Sequence, residues 1–600
     1  MIEYELQQSI SQALRQLYNL EVEVESVVLQ KTKKEFEGDI TVVVFPFVKA
    51  AKKSPEAVAD EIGGYVKNNV ANIESYNVIK GFLNFVVRDD YWLNFVKDHA
   101  FETHFGYKEA AADEAPVVIE YSSPNTNKPL HLGHIRNNLL GWSVAQLLKA
   151  AGNNVKKVNL VNDRGIHICK SMLAWKLYGE GETPQSSGMK GDHLVGKYYV
   201  LFDKHYKDET RRIAAEKNIP EDEAAKESPL MLQAQEMLRR WEAKDPEVVE
   251  LWKTMNGWVY EGFDQTYKKM GIDFDKIYYE SDTYLLGKSL VTKGLEDGVL
   301  FKKDDGSVWA DLTDKGLDQK LLLRKDGTSV YMTQDLGTAL LRHNDFAAKQ
   351  LMYVVGNEQD YHFNVLKIIL ERLGFEWAEK IYHLSYGMVE LPNGKMKSRE
   401  GTVVDADDLI EEMINTAEAM SKEHGRNDEL NASEARKLYT TLALGALKYF
   451  ILKVDPQKNM LFNPEESIDF NGNTGPFIQY TYARIRSIIR KAAENHNVNI
   501  DDTALNVNGI QLSKKEKDII KALYEMPSVV EQAAQNYSPA MVANYVYDLA
   551  KNFNSFYQET SILKEPDQKI MIFRVQLCNF VSKVIKNSMA ILGIDVPEKM

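Results

Sequence analysis

The sequence predicts a multidomain α/β protein with a parallel sheet, and three observations lead to this prediction. A chain of 600 residues is too long for one hydrophobic core. An apolar run at residues 117–121, a polar loop, an amphipathic helix and a second apolar run at residues 155–161 form a strand–helix–strand unit, whose strands pair in parallel. From Glu434 to the end, apolar residues recur almost everywhere at helical spacing.

Three domains are expected: an N-terminal α+β domain at residues 1–110, the parallel-sheet domain at residues 111–405 and an all-α helical bundle at residues 406–600. Charged, helical residues at about 190–275 predict an insertion in the sheet domain, and the alanine- and acid-rich stretch 109–115 predicts a linker. Local patterns in the first domain predict these elements: a helix around residues 10–20, a strand at 40–47, a helix from Pro55 to about Gly63 and a strand at 81–87.

Composition places the chain among ordinary globular proteins, with 44% hydrophobic and 27% charged residues. The apolar runs fall far short of the ~20 residues of a membrane-spanning helix, and the N-terminus lacks the apolar core of a secretory signal. Two cysteines, Cys169 and Cys578, suit a reducing compartment. A cytoplasmic protein without membrane contact is therefore expected. Its net charge of −14 argues against nonspecific nucleic-acid binding by the whole surface.

Two histidines at the start of the helix in the strand–helix–strand unit are the first candidates for chemistry. His131, Gly133 and His134 follow a loop that contains neither GxGxxG nor GxxxxGK[ST]. The first turn of a helix presents N–H groups that suit phosphate, imidazoles donate to phosphoryl oxygens, and Gly133 leaves room for a nucleotide. The alternatives are a structural histidine pair or a zinc site completed by His167 and Cys169. Because the proline- and asparagine-containing loop suits an anion better, no protein-bound metal is predicted.

A second basic segment, residues 387–404, places Lys395, Lys397 and Arg399 in a loop rich in glycine and serine. Cations on such a loop suit contact with a polyphosphate. Taken alone, the segment is more typical of a solvent-exposed hairpin that turns at residues 392–394.

Together, the two segments resemble the paired motifs of class I aminoacyl-tRNA synthetases, with HLGH at 131–134 and KMKSR at 395–399. The loop SSPNTNKPLHLGH is similar to the arginyl-tRNA synthetases in particular. Similarity to that family extends along nearly the full chain, through these segments: Gly38-Asp39, VYMTQD (330–335), VGNEQDYHF (355–363), GNTGPFIQYTYARI (472–485) and LGIDVPEKM (592–600).

This resemblance implies a Rossmann-like catalytic domain that activates arginine with ATP, bound as its Mg²⁺ complex, and transfers it to the terminal adenosine of arginine tRNA. It implies these catalytic residues: His131, His134, Lys128 and Lys395. It implies these ATP contacts: His131, Gly133, His134, His362, Lys395 and Ser398. Ser398 stands where the class motif has its second lysine, so the resemblance assigns that role to Lys128, with Lys397 as the alternative.

The resemblance also implies an arginine pocket made by Glu120, Asn125, Tyr331, Asp335 and Gln359. Carboxylates bind a planar guanidinium through paired, charge-assisted hydrogen bonds. The guanidinium is therefore assigned to Asp335, with Glu120 and Tyr331 helping, and the amino-acid end to Asn125 and Gln359. Many relatives have glutamine where this chain has His167, so no role is carried over to that position.

Contacts with tRNA are expected in the helical bundle, where tyrosines are interleaved with arginines around Tyr480 and Arg484. Tyr545 and Tyr557 are further candidates for base contact. Each tyrosine is equally a candidate for the core. The implied partners are arginine tRNA, L-arginine and ATP, and the expected state is a monomer. The alternatives are another class I synthetase, an RNA-binding relative without catalysis, and an adenylyl-transferring enzyme without tRNA. The acidic pocket residues and the intact HLGH motif favour an active arginine enzyme.

Overall fold

The structure is a computed structural model, and it describes residues 2–33, 35–390, 404–423, 431–500 and 505–600. The chain divides into two compact units. One unit comprises residues 1–105, 484–526 and 549–584, and the other comprises residues 106–483, 527–548 and 585–600.

The first unit contains a four-stranded antiparallel sheet in the order β1-β2-β4-β3. Its N-terminal elements are α1 (Ile2–Tyr18), β1 (Leu29–Lys31), β2 (Ile40–Val43), α2 (Phe45–Ala51), α3 (Pro55–Asn69), β3 (Ile73–Ile79), β4 (Phe82–Val87) and α4 (Asp89–His99). Helix α3 packs on β3 and β4, and α1 packs on α3. The predicted α+β character of this region is confirmed. Asp39 accepts a hydrogen bond from the Val87 amide at 2.6 Å and pairs with Lys521.

Two predicted elements of this unit differ in length from the observed ones. The strand expected at residues 40–47 ends at Val43, because Pro46 lacks a backbone donor and instead lies at the start of helix α2. The helix expected to end near Gly63 continues to Asn69. Gly63 is a site of close approach and not a helix end: a Cβ there would lie 2.4 Å from the Tyr76 ring.

The second unit is built on a parallel five-stranded sheet in the order β12-β11-β5-β6-β7. Its strands are β5 (Val117–Glu120), β6 (Val155–Val161), β7 (Lys276–Tyr279), β11 (Gln350–Gly356) and β12 (Tyr382–Tyr386). Helix α5 (Leu132–Ala150) connects β5 to β6, which confirms the predicted strand–helix–strand unit. The core on one side of this sheet is formed by residues such as Val118, Val158, Leu351 and Leu336.

Helical and antiparallel segments interrupt the parallel sheet. The predicted helical insertion is confirmed between β6 and β7 as α6 (Ile166–Tyr178), α7 (Pro184–Ser187), α8 (Gly191–Lys217), α9 (Glu221–Lys226), α10 (Pro229–Glu242) and α11 (Pro246–Met270). Between β7 and β11 lie α12 (Glu280–Thr283), α13 (Gly287–Glu296), β8 (Phe301–Lys302), β9 (Val308–Ala310), β10 (Lys320–Leu323) and α14 (Tyr331–Phe346). Strands β8–β10 form a small antiparallel sheet.

Helices dominate the rest of the chain, as predicted. These elements are α15 (Asp360–Arg372), β13 (Val389–Glu390), α16 (Ala406–Glu423), α17 (Ala432–Leu452), β14 (Met460–Leu461), α18 (Pro464–Ser467), α19 (Gly475–His496), α20 (Lys514–Tyr524), α21 (Met526–Gln535), α22 (Pro539–Glu559) and α23 (Gln568–Ile591). Among the described residues, no helix combines the length and the apolar content that crossing a membrane requires.

The two neighbouring glycines of α3 provide a matched stability test. An added Cβ at Gly63 would meet Tyr76 at 2.4 Å, whereas at Gly64 the nearest atom is the Tyr76 hydroxyl oxygen at 3.5 Å. Replacing glycine by alanine inside a helix typically raises the free energy of unfolding by about 1 kcal/mol. Forcing extra atoms into a packed site typically lowers that free energy by about 1–3 kcal/mol. Gly63→Ala is therefore expected to lower the unfolding temperature and Gly64→Ala to maintain or raise it. Thermal unfolding measures the unfolding temperature of both variants. Equal shifts of that temperature from the wild-type value would contradict the packing argument.

Candidate active site

The candidate site lies at the carboxyl ends of β5 and β11, two adjacent strands of the parallel sheet from which the chain continues in opposite directions along the sheet. The central strands β5 and β11 are adjacent, with Tyr353 opposite Glu120, and the chain continues from β5 toward β6 on the other side. In open α/β sheets such a switch point forms a crevice at the carboxyl ends of the strands. Glu120 ends β5, and Gln359 lies in the short 3₁₀ helix that follows β11. Asn125 is exposed in the loop after β5.

Helix α5 begins with a capping arrangement made by the two predicted histidines. His131 is the N-cap residue, and its Nδ1 accepts a hydrogen bond from the Gly133 amide at 3.1 Å. Nδ1 of His134 accepts from the His131 amide at 3.2 Å, and the two ring centroids are 3.9 Å apart. A nitrogen that accepts a hydrogen bond carries no proton, so each neutral ring carries its proton on Nε2. Both rings therefore keep an Nε2–H donor that the helix cap does not use.

Burial keeps these imidazoles neutral. Burial, with a smaller contribution from the nearby Lys128 ammonium, lowers the pKa of His131 to about 4. Burial also lowers the pKa of His134 well below its ordinary value, with His131 and Lys128 contributing. The structure thus brings three predicted residues together: Lys128, which supplies a positive charge, and His131 and His134, which are neutral hydrogen-bond donors.

The first turn of α5 differs from the expectation of free backbone donors. Besides the His131 and Gly133 amides, the Leu132 amide is also used, since it donates to the Val404 carbonyl at 3.0 Å. An anion at this turn would therefore meet imidazole donors more than backbone amides. Gly133 also has a second role, because a Cβ there would lie 3.0 Å from Cε1 of the folded-back His131 ring.

Two polar residues on α5 that sequence reasoning missed attach this helix to its surroundings. Arg136 is 2% exposed and donates to the carbonyls of Met388, Pro456 and Lys458. Asn137 accepts from the Ser122 amide at 2.6 Å and donates to the Val354 carbonyl at 2.7 Å, so it joins the ends of β5 and β11. The sequence offered one indication of these roles, since Arg136 and Asn137 are polar residues in a largely apolar helix.

Glu120 is buried beside a cation that belongs to the protein. Its carboxylate forms an ion pair with Arg342 of α14, and Ser123 donates to it at 3.0 Å. Burial raises the pKa of Glu120, and the guanidinium of Arg342 opposes that rise. Arg342, which sequence reasoning missed, is itself 2% exposed. The charge of Glu120 is therefore already balanced within the protein.

Asp335 and Tyr331 lie on the first turns of α14 and not at the end of a strand. Asp335 accepts a hydrogen bond from Nε2 of His362 at 2.6 Å, and its side chain is 35% exposed. Tyr331 is 78% exposed. His362, predicted to contact ATP, thus lies against the residue predicted to hold the guanidinium.

A third acidic residue, Glu280, was missed by sequence reasoning. It begins α12 directly after β7. The pKa of Glu280 is raised to about 7, chiefly by burial; the charge of Arg164 opposes the rise, and the charges of Asp163 and Asp335 add to it. Its signal in the sequence was weak, because a glutamate after an apolar run is also typical of a solvated strand end.

Asp163 fixes the turn that carries Glu280. Its carboxylate accepts from the Ser281 amide at 2.8 Å, from the Ser281 hydroxyl at 2.7 Å and from the Tyr260 hydroxyl at 2.8 Å. Asp163 is therefore a positioning residue at the end of β6. The neighbouring His167 has a hydrogen bond with the Tyr199 hydroxyl at 3.0 Å.

The described residues do not favour the zinc alternative. Both Nδ1 atoms of His131 and His134 accept backbone hydrogen bonds, and burial raises the pKa of the Cys169 thiol to about 12. A different acidic group comprises Asp192, His193 and Asp407. The Lys190 ammonium lies 3.0 Å from Asp192 and 2.6 Å from Asp407, so a cation of the protein already pairs with both carboxylates.

No contacts or distances are described for the second basic segment, because Lys395, Lys397, Ser398 and Arg399 lie outside the described residues. Of the predicted tRNA-contacting residues, Arg484 and Tyr557 lie together in the first unit: the guanidinium is 5.1 Å from the tyrosine ring centroid and bonds to Asn554. Tyr480 and Tyr545 belong to the second unit, where Tyr545 is 8% exposed and offers little surface for stacking.

Comparisons with known proteins identify the family of the chain. Three family models match the chain: the class I (R) tRNA synthetase catalytic domain at residues 99–463, the DALR anticodon binding domain at 478–600 and the arginyl tRNA synthetase N-terminal domain at 4–87. Arginine–tRNA ligases of Bacteroides fragilis and Phocaeicola vulgatus are 59% and 58% identical, with 100% of each chain covered.

Solved structures share the fold over the whole chain. The arginyl-tRNA synthetase of Thermus thermophilus matches with a TM-score of 0.75 at 23% identity, covering 100% of both chains. That of Plasmodium falciparum matches with a TM-score of 0.76 at 19% identity, covering 100% of this chain and 99% of its own. Because the curated relatives share more than half of their residues with this chain over its full length, the chain belongs to the arginyl-tRNA synthetase family.

Proposed function

We propose that this chain is an arginine–tRNA ligase, which activates arginine with ATP and transfers it to the terminal adenosine of arginine tRNA. The observation that carries the proposal is the pairing of two features at one sheet edge. Neutral imidazole donors beside Lys128 begin α5, and carboxylates that suit a guanidinium lie at the ends of the neighbouring elements. A phosphate-binding turn beside an acidic pocket is what joining ATP to arginine requires.

In the first step, an oxygen of the arginine carboxylate attacks the α-phosphate of ATP, and pyrophosphate leaves. Charge shifts onto the phosphoryl oxygens as the transition state forms. The Nε2–H donors of His131 and His134 and the ammonium of Lys128 are positioned to stabilise it. Burial keeps both imidazoles uncharged, so each ring donates from Nε2 while its Nδ1 keeps its helix-capping hydrogen bond. No side-chain nucleophile is needed.

Asp335 is assigned to the guanidinium of arginine. It is partly exposed and oriented by His362, so it has acceptor capacity left for a ligand. Glu120 is paired with Arg342, so its role is to shape the pocket and not to supply free charge. Glu280 supplies further negative potential. Asn125 and Gln359, both exposed at the strand ends, are assigned to the amino-acid end of the substrate.

In the second step, a ribose hydroxyl of the terminal adenosine attacks the carbonyl carbon of the arginyl-adenylate, and AMP leaves. Residues 406–600 are assigned to anticodon binding and residues 1–110 to a further tRNA contact, as in the family. Arg484 and Tyr557, which lie together, are the favoured contacts there. ATP is assumed to bind as its Mg²⁺ complex, and Lys395 and Ser398 are assigned to its phosphates. The protein is proposed to be a cytoplasmic monomer.

The activity is tested by ATP–pyrophosphate exchange with each of the twenty amino acids, with and without bulk tRNA. Exchange is expected with arginine alone and only when tRNA is present, because arginyl enzymes usually activate arginine after binding tRNA. Exchange with another amino acid would contradict the pocket assignment but not the class. Loss of exchange under every condition, with tRNA binding retained, would favour the RNA-binding alternative.

Asp335→Asn tests the guanidinium assignment. The change removes the carboxylate charge, so a charge-assisted hydrogen bond to the guanidinium becomes a neutral one. Hydrogen bonds to charged groups contribute roughly 1.5–3 kcal/mol, so the KM for arginine should rise about ten- to hundredfold. Steady-state exchange kinetics measure it. Asp314→Asn is the matched control, since Asp314 also accepts a side-chain hydrogen bond, from Arg372, outside the pocket. Equal KM values in both variants would contradict the assignment.

The raised pKa of Glu280, about 7, predicts a pH dependence of arginine binding. Below pH 7 this carboxyl is protonated and no longer attracts the guanidinium, which stays charged throughout. The KM for arginine should therefore rise several-fold from pH 8 to pH 6. Glu280→Gln should have the high KM at both pH values and lose this dependence. A wild-type KM that is independent of pH would exclude the role of Glu280.

A further inference from the structure

Residues 404–407 form a short antiparallel contact with the turn that carries His131. The Leu132 amide donates to the Val404 carbonyl at 3.0 Å, the Ala406 amide donates to the Leu130 carbonyl at 2.9 Å, and His131 lies opposite Asp405. The backbone on both sides of His131 is therefore held by this one stretch of chain. Whatever fixes residues 404–407 also fixes the direction of the His131 ring.

The helical insertion holds that stretch through a group of side chains, here called the insertion clamp: Lys190, His193, Thr266 and Asp407. The Lys190 ammonium lies 2.6 Å from Asp407 and 2.5 Å from the Thr266 hydroxyl. Thr266 of α11 lies 3.2 Å from Asp407, and Nε2 of His193 lies 3.3 Å from it. Three segments that are distant in sequence thus meet at one carboxylate.

The charged groups around the clamp are paired with one another and largely out of solvent. Asp192 is fully buried and pairs with Lys190 at 3.0 Å, and Asp405 lies 3.4 Å from His193. Three carboxylates thus face two cationic partners. Burial opposes ionisation of Asp407, but hydrogen bonds from His193 and Lys190 hold its pKa below the ordinary value. Removing one member of such a network leaves the others unpaired, which is far more disruptive than losing a surface ion pair.

Close packing shows that the clamp has a fixed geometry. A Cβ at Gly262 of α11 would lie 2.4 Å from the Asp192 carboxylate, so α8 and α11 approach each other closely at this point. Asp405 also caps α16 by accepting from the Asp407 and Asp408 amides at 2.8 and 3.2 Å. The stretch 404–407 is consequently held from the insertion side and from the helix that it starts.

We propose that Asp407 is a positioning residue for arginine activation, through which the insertion clamp holds the His131 turn in its phosphate-binding geometry. This inference rests on the proposed function and adds a role for the helical insertion. Asp407 does not itself touch the substrates. It acts through the backbone of residues 404–406, and a displacement of about 1 Å at reacting groups is enough to cost about a hundredfold in rate.

The test is a double-mutant cycle on the full-length chain, with Asp407→Asn, Lys190→Met and the combined variant. Each single change should lower the kcat of arginine-dependent ATP–pyrophosphate exchange about ten- to hundredfold. The KM for arginine should stay within about twofold, because the clamp does not contact the Asp335 pocket. The double variant should be no slower than the slower single variant, since both changes open the same clamp. Asp407→Glu should restore part of the rate.

Glu411→Gln is the matched control. Glu411 lies on the same helix one turn later and pairs with Lys269 of the insertion and with Arg436, but it has no contact with residues 130–132 among the bonds described. This variant should keep the wild-type kcat. An Asp407→Asn variant with wild-type kcat, the same loss in Glu411→Gln, or multiplicative losses in the double variant would each overturn the proposal.

Hydrogen exchange provides a readout that does not depend on activity. In Asp407→Asn the Leu132 amide should lose protection, while amides of the sheet core such as Val118 keep theirs. Unchanged protection at Leu132 would overturn the proposal even if the rate falls. If the wild-type chain itself shows no exchange with arginine and tRNA, the proposed function fails instead, and the Leu132 measurement still decides whether the clamp holds this turn.

Discussion

The first turn of helix α5 is the constraint on which the rest of the site depends. A helix start leaves backbone amides without partners, and here the imidazoles of His131 and His134 accept two of them. That single arrangement caps the helix and selects the Nε2–H tautomer of both rings. In the proposed function, the same two side chains cap the helix and bind the phosphates. A substitution at either histidine removes a structural hydrogen bond along with the proposed phosphate donor.

The arginine pocket follows from how charge is distributed around this turn. Three carboxylates near one cationic ligand would repel one another when the ligand is absent, and burial would increase that cost. The protein avoids this in three different ways. Glu120 is paired with Arg342, Asp335 is bonded to His362, and Glu280 has a pKa of about 7, so part of its population is protonated near neutral pH. Of these three, Asp335 combines a fixed orientation with a partly exposed side chain, which is why it is proposed as the direct acceptor.

Local patterns in the sequence were sufficient for elements whose causes are local. The β5–α5–β6 unit, the histidines at the helix start and the helical insertion all follow from periodicity and from residues within one turn. The end of α3 was misjudged because the reason for Gly63 is Tyr76, on another strand. Arg342, Asn137 and Glu280 were missed for the same reason. Their roles lie in contacts with residues that are far away in the sequence, and nothing in their immediate neighbours indicates those contacts.

Helix α11 explains why a large insertion between β6 and β7 belongs to the site. Its Tyr267 hydroxyl lies 2.7 Å from that of Ser122 after β5, and its Tyr260 hydroxyl donates to Asp163 after β6. Its Thr266 reaches Asp407, beside the His131 turn. One helix thus contacts three separate segments at the carboxyl edge of the sheet. Loops at such an edge are individually mobile in most α/β folds, and a shared helix makes their positions depend on one another. Through this helix the insertion supports the segments after β5 and β6 and the stretch of chain that pairs with the His131 turn.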